Sequence, residues 1–139
     1  MSKLAGVNIV GWLLAALAIY LITFVWYALL FQPIYQAAEG LIPEDYEGQS
    51  AIWMPTAIIV PLLLSFGLGW IMNKSGASSM GQAITTGLMV GIFIAGGIQA
   101  YDLFYRPEHS FAGYFMHTGS HVITLVAAAI VHSFFMRDD

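Results

Sequence analysis

Three histidines fall in the last apolar stretch of the chain, MHTGSHVITLVAAAIVHSFF, Met116 to Phe135. His117 and His121 are one helical turn apart, and His132 follows. Histidines at i and i+4 can chelate one metal from the same side of a helix. They cannot both be axial ligands of one haem, whose ligands lie on opposite faces of the ring. A second haem ligand would have to come from another helix or another chain. An ionisable group inside a membrane segment also suggests a proton or polar-solute path, because histidine changes charge near neutral pH. The plainer alternative is a neutral histidine that hydrogen-bonds a neighbouring span.

A helical projection joins these residues. With His117 at zero, His121 falls near about 40°, Thr124 about 340°, Ala128 about 20°, His132 about 60° and Ser120 about 300°. Gly113 and Tyr114 flank the sector. His117, Ser120, His121 and Thr124 therefore form a candidate polar stripe that should face other helices, since polar groups are costly against lipid. A second polar cluster is QAYDLFYRPEH, Gln99 to His109. There Asp102 and Arg106 are four apart and can pair on one helix face. Asp102 could alternatively meet His117 across a tight hairpin and form a proton-sensitive pair. The chain has no phosphate-binding glycine loop, no HExxH and no nucleophile elbow. Its four spans show no obvious inverted repeat.

The elements that position these residues follow from composition. Of 139 residues, 59% are hydrophobic and only 9% charged, against about a quarter charged in soluble domains. The chain therefore reads as an integral membrane protein. With no cysteine, disulfides, thiolate chemistry and Cys-ligated metals are excluded. A net charge of −4 with four Lys and Arg gives no basic patch for nucleic acid. The N-terminal apolar run, Leu4 to Phe31, is too long for a signal-peptide core and has no small-residue cleavage site after it, so it reads as a retained span.

Four segments reach the roughly 20 residues that a helix needs to cross a bilayer. They are residues 5–31, 51–72, 80–104 and 110–136, within a single transmembrane domain, 1–139. Strands are not expected, because a membrane barrel needs about eight or more alternating segments. Residues 32–50 form an acidic loop carrying Glu39, Glu44, Asp45 and Glu47, with a short helix possible at Pro33–Ala38. NKSGASS and YRPEHS are tight connections that imply antiparallel hairpins. Lys3, Lys74 and Arg137 fall on one side and Arg106 on the other, so both termini are expected in the cytoplasm. Tyr101, Tyr105 and Trp53 suit an interfacial aromatic belt.

Gly87, Gly91 and Ala95, with Gly96 and Ala100 beside them, form a small-residue seam that lets backbones approach. Ser65 and Gly69, and Gly11 and Ala15, repeat the spacing on other spans. The seam serves packing within the chain or contact between copies. Pro55 is expected in the first turns of the second span, and Pro61 deeper, where it should kink the helix.

Two segments carry a resemblance. WYALLF, Trp26 to Phe31, closes the first span. YDLFYRPEHSFAGYFMHTGSHVITLVAAAIV holds a Tyr-x-Leu-Phe end, a turn, aromatic residues opening the next span, and Gly119-Ser120-His121-Val122. Their order and spacing resemble the bacterial membrane family called domain of unknown function 1761, over nearly the whole chain. The resemblance implies a four-helix membrane protein and carries over Trp26, Tyr27, Gly119 and His121, but implies no activity. Gln32-Pro33 replaces the usual Gly, a Pro after Trp-Tyr is missing, and Ser120 replaces an aromatic. His117 stands where a small polar residue is common.

The expectation is an all-α antiparallel four-helix bundle in the bacterial inner membrane. It is expected to be non-enzymatic, without cofactor or bound metal, and to act as a homo-oligomer or an accessory subunit of a larger membrane complex. The alternatives are a proton or polar-solute channel using His117, His121 and Thr124, and a metal- or haem-linked redox subunit.

Overall fold

The computed structural model describes residues 2–34, 57–106 and 110–136. The chain starts with a small hairpin rather than with helix. Strands β1 (Lys3–Leu4) and β2 (Val7–Asn8) pair antiparallel, Lys3 opposite Asn8 and Leu4 opposite Val7. The two turn residues, Ala5 and Gly6, have φ of 50° and 86°, as a two-residue hairpin turn of this hand requires. A Cβ on Gly6 would collide with the Asn73 amide, so glycine is needed there for both space and conformation. Asn8 then caps the first helix, its Oδ1 accepting from Gly11 N at 2.9 Å. The helix thus starts four residues later than the sequence suggested, because residues 3–8 are held in the hairpin.

Four long helices follow among the described residues. Helix α1 runs Ile9–Leu30, its last turn, Val25–Leu30, being π-helical. Helix α2 is Ile59–Ser75. It ends at Gly76, whose φ of 70° is a left-handed cap, with Ala77 N bonded to Met72 O. Ser79 and Gln82 form a capping box that starts α3, Met80–Tyr105. Its middle, Val90–Ala95, is again π-helical. Helix α4, Phe111–Met136, starts where Ser110 Oγ accepts from Gly113 N.

Helices α1, α3 and α4 have 22, 26 and 26 residues and are long and apolar enough to cross a membrane; α2 is also apolar but has 17 described residues. Pro61 is the third residue of α2. The kink expected there is not required, because a first-turn proline removes an N–H that has no helical partner in any case. The acidic loop beyond residue 34, Trp53, Pro55, residues 107–109 and Arg137 lie outside the described residues.

Helix α4 is the hub. It packs against α1, α2 and α3, whereas α2 and α3 meet only slightly. The core is built from small or slender side chains, including Ala15, Ile19, Leu68, Met72, Ala83, Leu125, Ala128 and Ala129. Large apolar side chains point outward instead: Leu13, Leu17 and Leu21 on α1, Leu63 on α2, Phe93 and Ile94 on α3, Phe115 on α4. A water-soluble bundle would reverse that arrangement, whereas lipid is a compatible neighbour for it.

The α3 seam faces α4 of the same chain. A Cβ on Gly87 would stand 2.6 Å from Val126 Cα, and one on Gly91 2.8 Å from Val122 Cα. Backbone fills that space, so neither glycine can be enlarged without moving a helix. Gly96 continues the seam against Thr118, while Ala100 is half-buried. The pairings run in opposite directions along the two helices, so α3 and α4 are antiparallel. Contacts of Gly11 with Phe135 and of Trp26 with Gly119 make α1 antiparallel to α4 as well. Lys3 and Lys74 consequently lie at one end of the bundle, and Asp102 and Arg106 at the other.

Candidate functional site

Two clamps, built on His132 and on His117, tie α4 to its neighbours. The first lies near the end that carries Lys3 and Lys74. His132 Nε2 is 2.9 Å from Ser65 O and 3.2 Å from Ser65 Oγ. A carbonyl only accepts, so Nε2 carries the proton and donates. Ser65 Oγ in turn donates to Trp12 O at 2.9 Å, and Trp12 Nε1 donates to Leu62 O at 2.8 Å. One histidine therefore ties α4 to α2, and through Ser65 to α1. Gly69 makes room for it: a Cβ there would stand 2.5 Å from His132 Cε1. The Ser65 proton is directed at a carbonyl and not at imidazole, so this Ser–His contact lacks the geometry of an activated nucleophile.

The second clamp lies toward the other end. Trp26 Nε1 donates to Met116 O at 3.0 Å, and the Tyr27 hydroxyl is 2.8 Å from His117 Nδ1. The Tyr27 and His117 rings are 5.5 Å apart. A Cβ on Gly119 would come 3.1 Å from the Trp26 ring, so the glycine is the seat of the indole. Trp26 and Tyr27 are adjacent in sequence and lie in the π-helical turn of α1, where Phe31 N bonds Trp26 O across five residues. The widened turn sets them against α4 side by side. The second π segment, Val90–Ala95 of α3, packs against the same stretch of α4 from another side, with Gly91 on Val122 and Gly96 on Thr118. Residues 116–122 are thus gripped between the two irregular turns. Such π insertions are frequent at functional sites.

The polar stripe splits on inspection. His117, Ser120 and Thr124 are buried, whereas His121 is only half-buried. Thr124 Oγ1 donates back to Ser120 O at 2.8 Å and approaches His121 O at 3.2 Å. Among the described residues the His121 ring makes no hydrogen bond. The bond between spans expected of His121 is made instead by His117 and His132. Asp102 pairs with Arg106 at 3.7 Å and accepts from Gln99 Nε2 at 3.4 Å. It does not reach His117. The Gly87–Val126 and Gly91–Val122 pairings place Asp102 level with the first residues of α4, more than a turn away. Among the described residues no three His, Asp or Glu lie close enough to hold a metal ion.

The sequence showed Ser65 and Gly69 as a small-residue pair and His132 as part of the stripe, but not that the first two receive the third. Nor did it show Trp12, or Tyr27 as the partner of His117. A tryptophan and a tyrosine inside apolar spans were the available signal, since buried Trp N–H and Tyr O–H groups find acceptors.

An outward apolar surface, a small-residue core and polar clamps between spans define a multi-pass helical membrane protein. Within that class, residues 10–133 match the family described as Protein of unknown function (DUF1761), and the chain belongs to it. No curated protein and no solved structure matches the chain.

Proposed function

We propose that the protein is a non-enzymatic membrane component that works through its outer surface, as a homo-oligomer or as an accessory subunit of a larger membrane complex. The observation that carries this reading is the use made of the buried polar groups of α4. His117 and His132 bond neighbouring helices, and Thr124 and Ser133 hydroxyls donate to carbonyls of their own helix. Side chains occupied in this way hold a bundle together rather than act on a substrate. In the proposed arrangement all four helices span the bacterial inner membrane with both termini in the cytoplasm. The end bearing Lys3 and Lys74 then faces inward, as the positive-inside rule asks.

Native mass spectrometry of the protein released from its source membrane tests the proposal. It predicts an assembly larger than one chain; free monomer alone would contradict it. A C-terminal reporter active only outside the cytoplasm would overturn the topology.

A polar-solute or proton path is the second reading, and the His121 ring, unbonded among the described residues, is the observation in its favour. Eight residues of α4, about 12 Å, separate Thr124 from His132, with Ala128 between them on the same face. Proton flux in liposomes that is lost in His121→Ala would establish that reading. Soret absorption or stoichiometric metal in the purified protein would establish a redox subunit instead.

A further inference from the structure

Among the described residues, Thr118 and His121 are polar side chains of α4 that stay unmatched after both clamps are formed. Thr118 Oγ1 is fully buried and has no hydrogen-bond partner among the described residues. The half-buried His121 ring has none either. Three residues apart on one helix, they are face neighbours with Cβ atoms about 5–6 Å apart. Elsewhere on this helix the Thr124 and Ser133 hydroxyls donate to nearby carbonyls. A buried polar group without a partner is costly and uncommon, and one beside a half-buried, unbonded imidazole calls for an explanation.

Their surroundings say what kind of group would match them. On one side is α3 just past its π segment. There a Cβ on Gly96 would be 3.2 Å from Thr118 Cγ2, and the Tyr114 hydroxyl already donates to Gly96 O. On another side, α2 runs parallel to α4, with Ser65 beside His132. Its first described helical residue, Ile59, therefore lies level with about residue 126 of α4, by the rise shared between two helices. The described part of α2 stops short of His121. Helix α4 contains no charged residue, and Asp102 is occupied with Gln99 and Arg106 at the far end of α3. His121 is near the middle of α4, so a ligand reaches it through apolar surroundings and brings no net charge with it. Thr118 can donate, and a neutral imidazole has one donor and one acceptor. A carbonyl oxygen accepts from the Thr118 hydroxyl and the imidazole N–H, and a hydroxyl accepts from one of them and can donate to the other imidazole nitrogen.

We propose that Thr118 and His121 form a small polar site within the membrane-spanning part of the bundle, which takes the carbonyl or hydroxyl head of an uncharged lipophilic molecule. The site is distinct from both clamps and does not depend on whether the protein is an accessory subunit.

The test uses the full chain in lipid nanodiscs with 15N-labelled histidine. The probes are 2-decanone and 1-decanol, with decane as the control for simple partitioning. Saturable movement of the His121 ring signals by either oxygenated probe, and none by decane, is the expected result. Thr118→Val should weaken the apparent affinity at least ten-fold, and Thr118→Ser should restore it. Unmoved His132 signals in both variants would report an intact fold. The proposal is overturned if neither oxygenated probe gives a saturable shift, if decane gives the same shift, or if Thr118→Val binds as the parent does. The last outcome would mean that Thr118 only packs against Gly96.

Discussion

The two ends of α4 use the same residue type in different ways. At the Lys3 end, His132 is enclosed: its N–H reaches Ser65, Ser65 reaches Trp12, and Gly69 is cut away to admit the ring. Three helices meet at one imidazole. In the other half, Tyr27 and Trp26 reach α4 from a single π-helical turn of α1, and His117 and Gly119 receive them. One turn further along, His121 forms no ring bond among the described residues. Burial alone does not make a membrane histidine structural; a matched partner on another helix does. The difference also separates rigidity from opportunity. A regular helix against regular helices gives the first clamp, whereas widened turns on α1 and α3 frame residues 116–122.

The largest effects should come from removing the space that both regions depend on. Gly87→Ala would drive a methyl into the Val126 backbone, and overpacking of this kind costs about 1–3 kcal/mol. Gly97→Ala, on the open side of the same helix, should change stability by less than about 0.5 kcal/mol. Steric-trap unfolding in bicelles compares the two, and equal losses would mean that the α3–α4 seam is wrongly placed. Gly69→Ala should fall between them, because the ring of His132 can yield only by straining its bond to Ser65.

Loss of a clamp bond comes next. Tyr27→Phe removes the hydroxyl from His117 and keeps the ring, and bonds between membrane helices average about 0.6 kcal/mol with a maximum near about 1.7. Ser65→Ala should cost at least as much, since it frees Trp12 O as well as withdrawing an acceptor from His132. If Tyr27→Phe proved the more damaging in the same unfolding assay, the His132 end would not be the tighter of the two. The smallest effect belongs to Asp102→Asn. That ion pair is partly exposed at 3.7 Å, and such pairs contribute about 0–1 kcal/mol.

Much of this was legible in the sequence, and what was not has physical causes. Helical periodicity on α4 places His117, Thr124, Ala128 and His132 on one face because that helix is regular throughout. The glycine seam is equally readable, since the absence of a Cβ is a property of the residue itself. Its choice of α4 in the same chain is not, because a partner helix leaves no mark on the spacing. The π turns were invisible: VWYALL and VGIFIA contain no proline, and an extra residue in a turn shifts the phase of everything beyond it. The opening hairpin was read as helix because Ala5-Gly6 lacks the Asn-Gly or Asp-Gly signature of such turns. Likewise Pro61 reads as a kink only while the helix is thought to begin before it. His121 stood out by its place in the short Gly119-Ser120-His121-Val122 motif, yet motif and angle together could not say that His117 and His132 would be the bonded pair.

The central claim is that the histidines of α4 divide into two clamps and one ring that is unmatched among the described residues. Replacing each with alanine in the full chain and measuring unfolding free energy by steric trapping tests it most directly. His132→Ala and His117→Ala should each destabilise the bundle measurably, the former more, while His121→Ala should stay within about 0.5 kcal/mol of the parent. A loss for His121→Ala equal to or greater than that for His132→Ala would contradict the account.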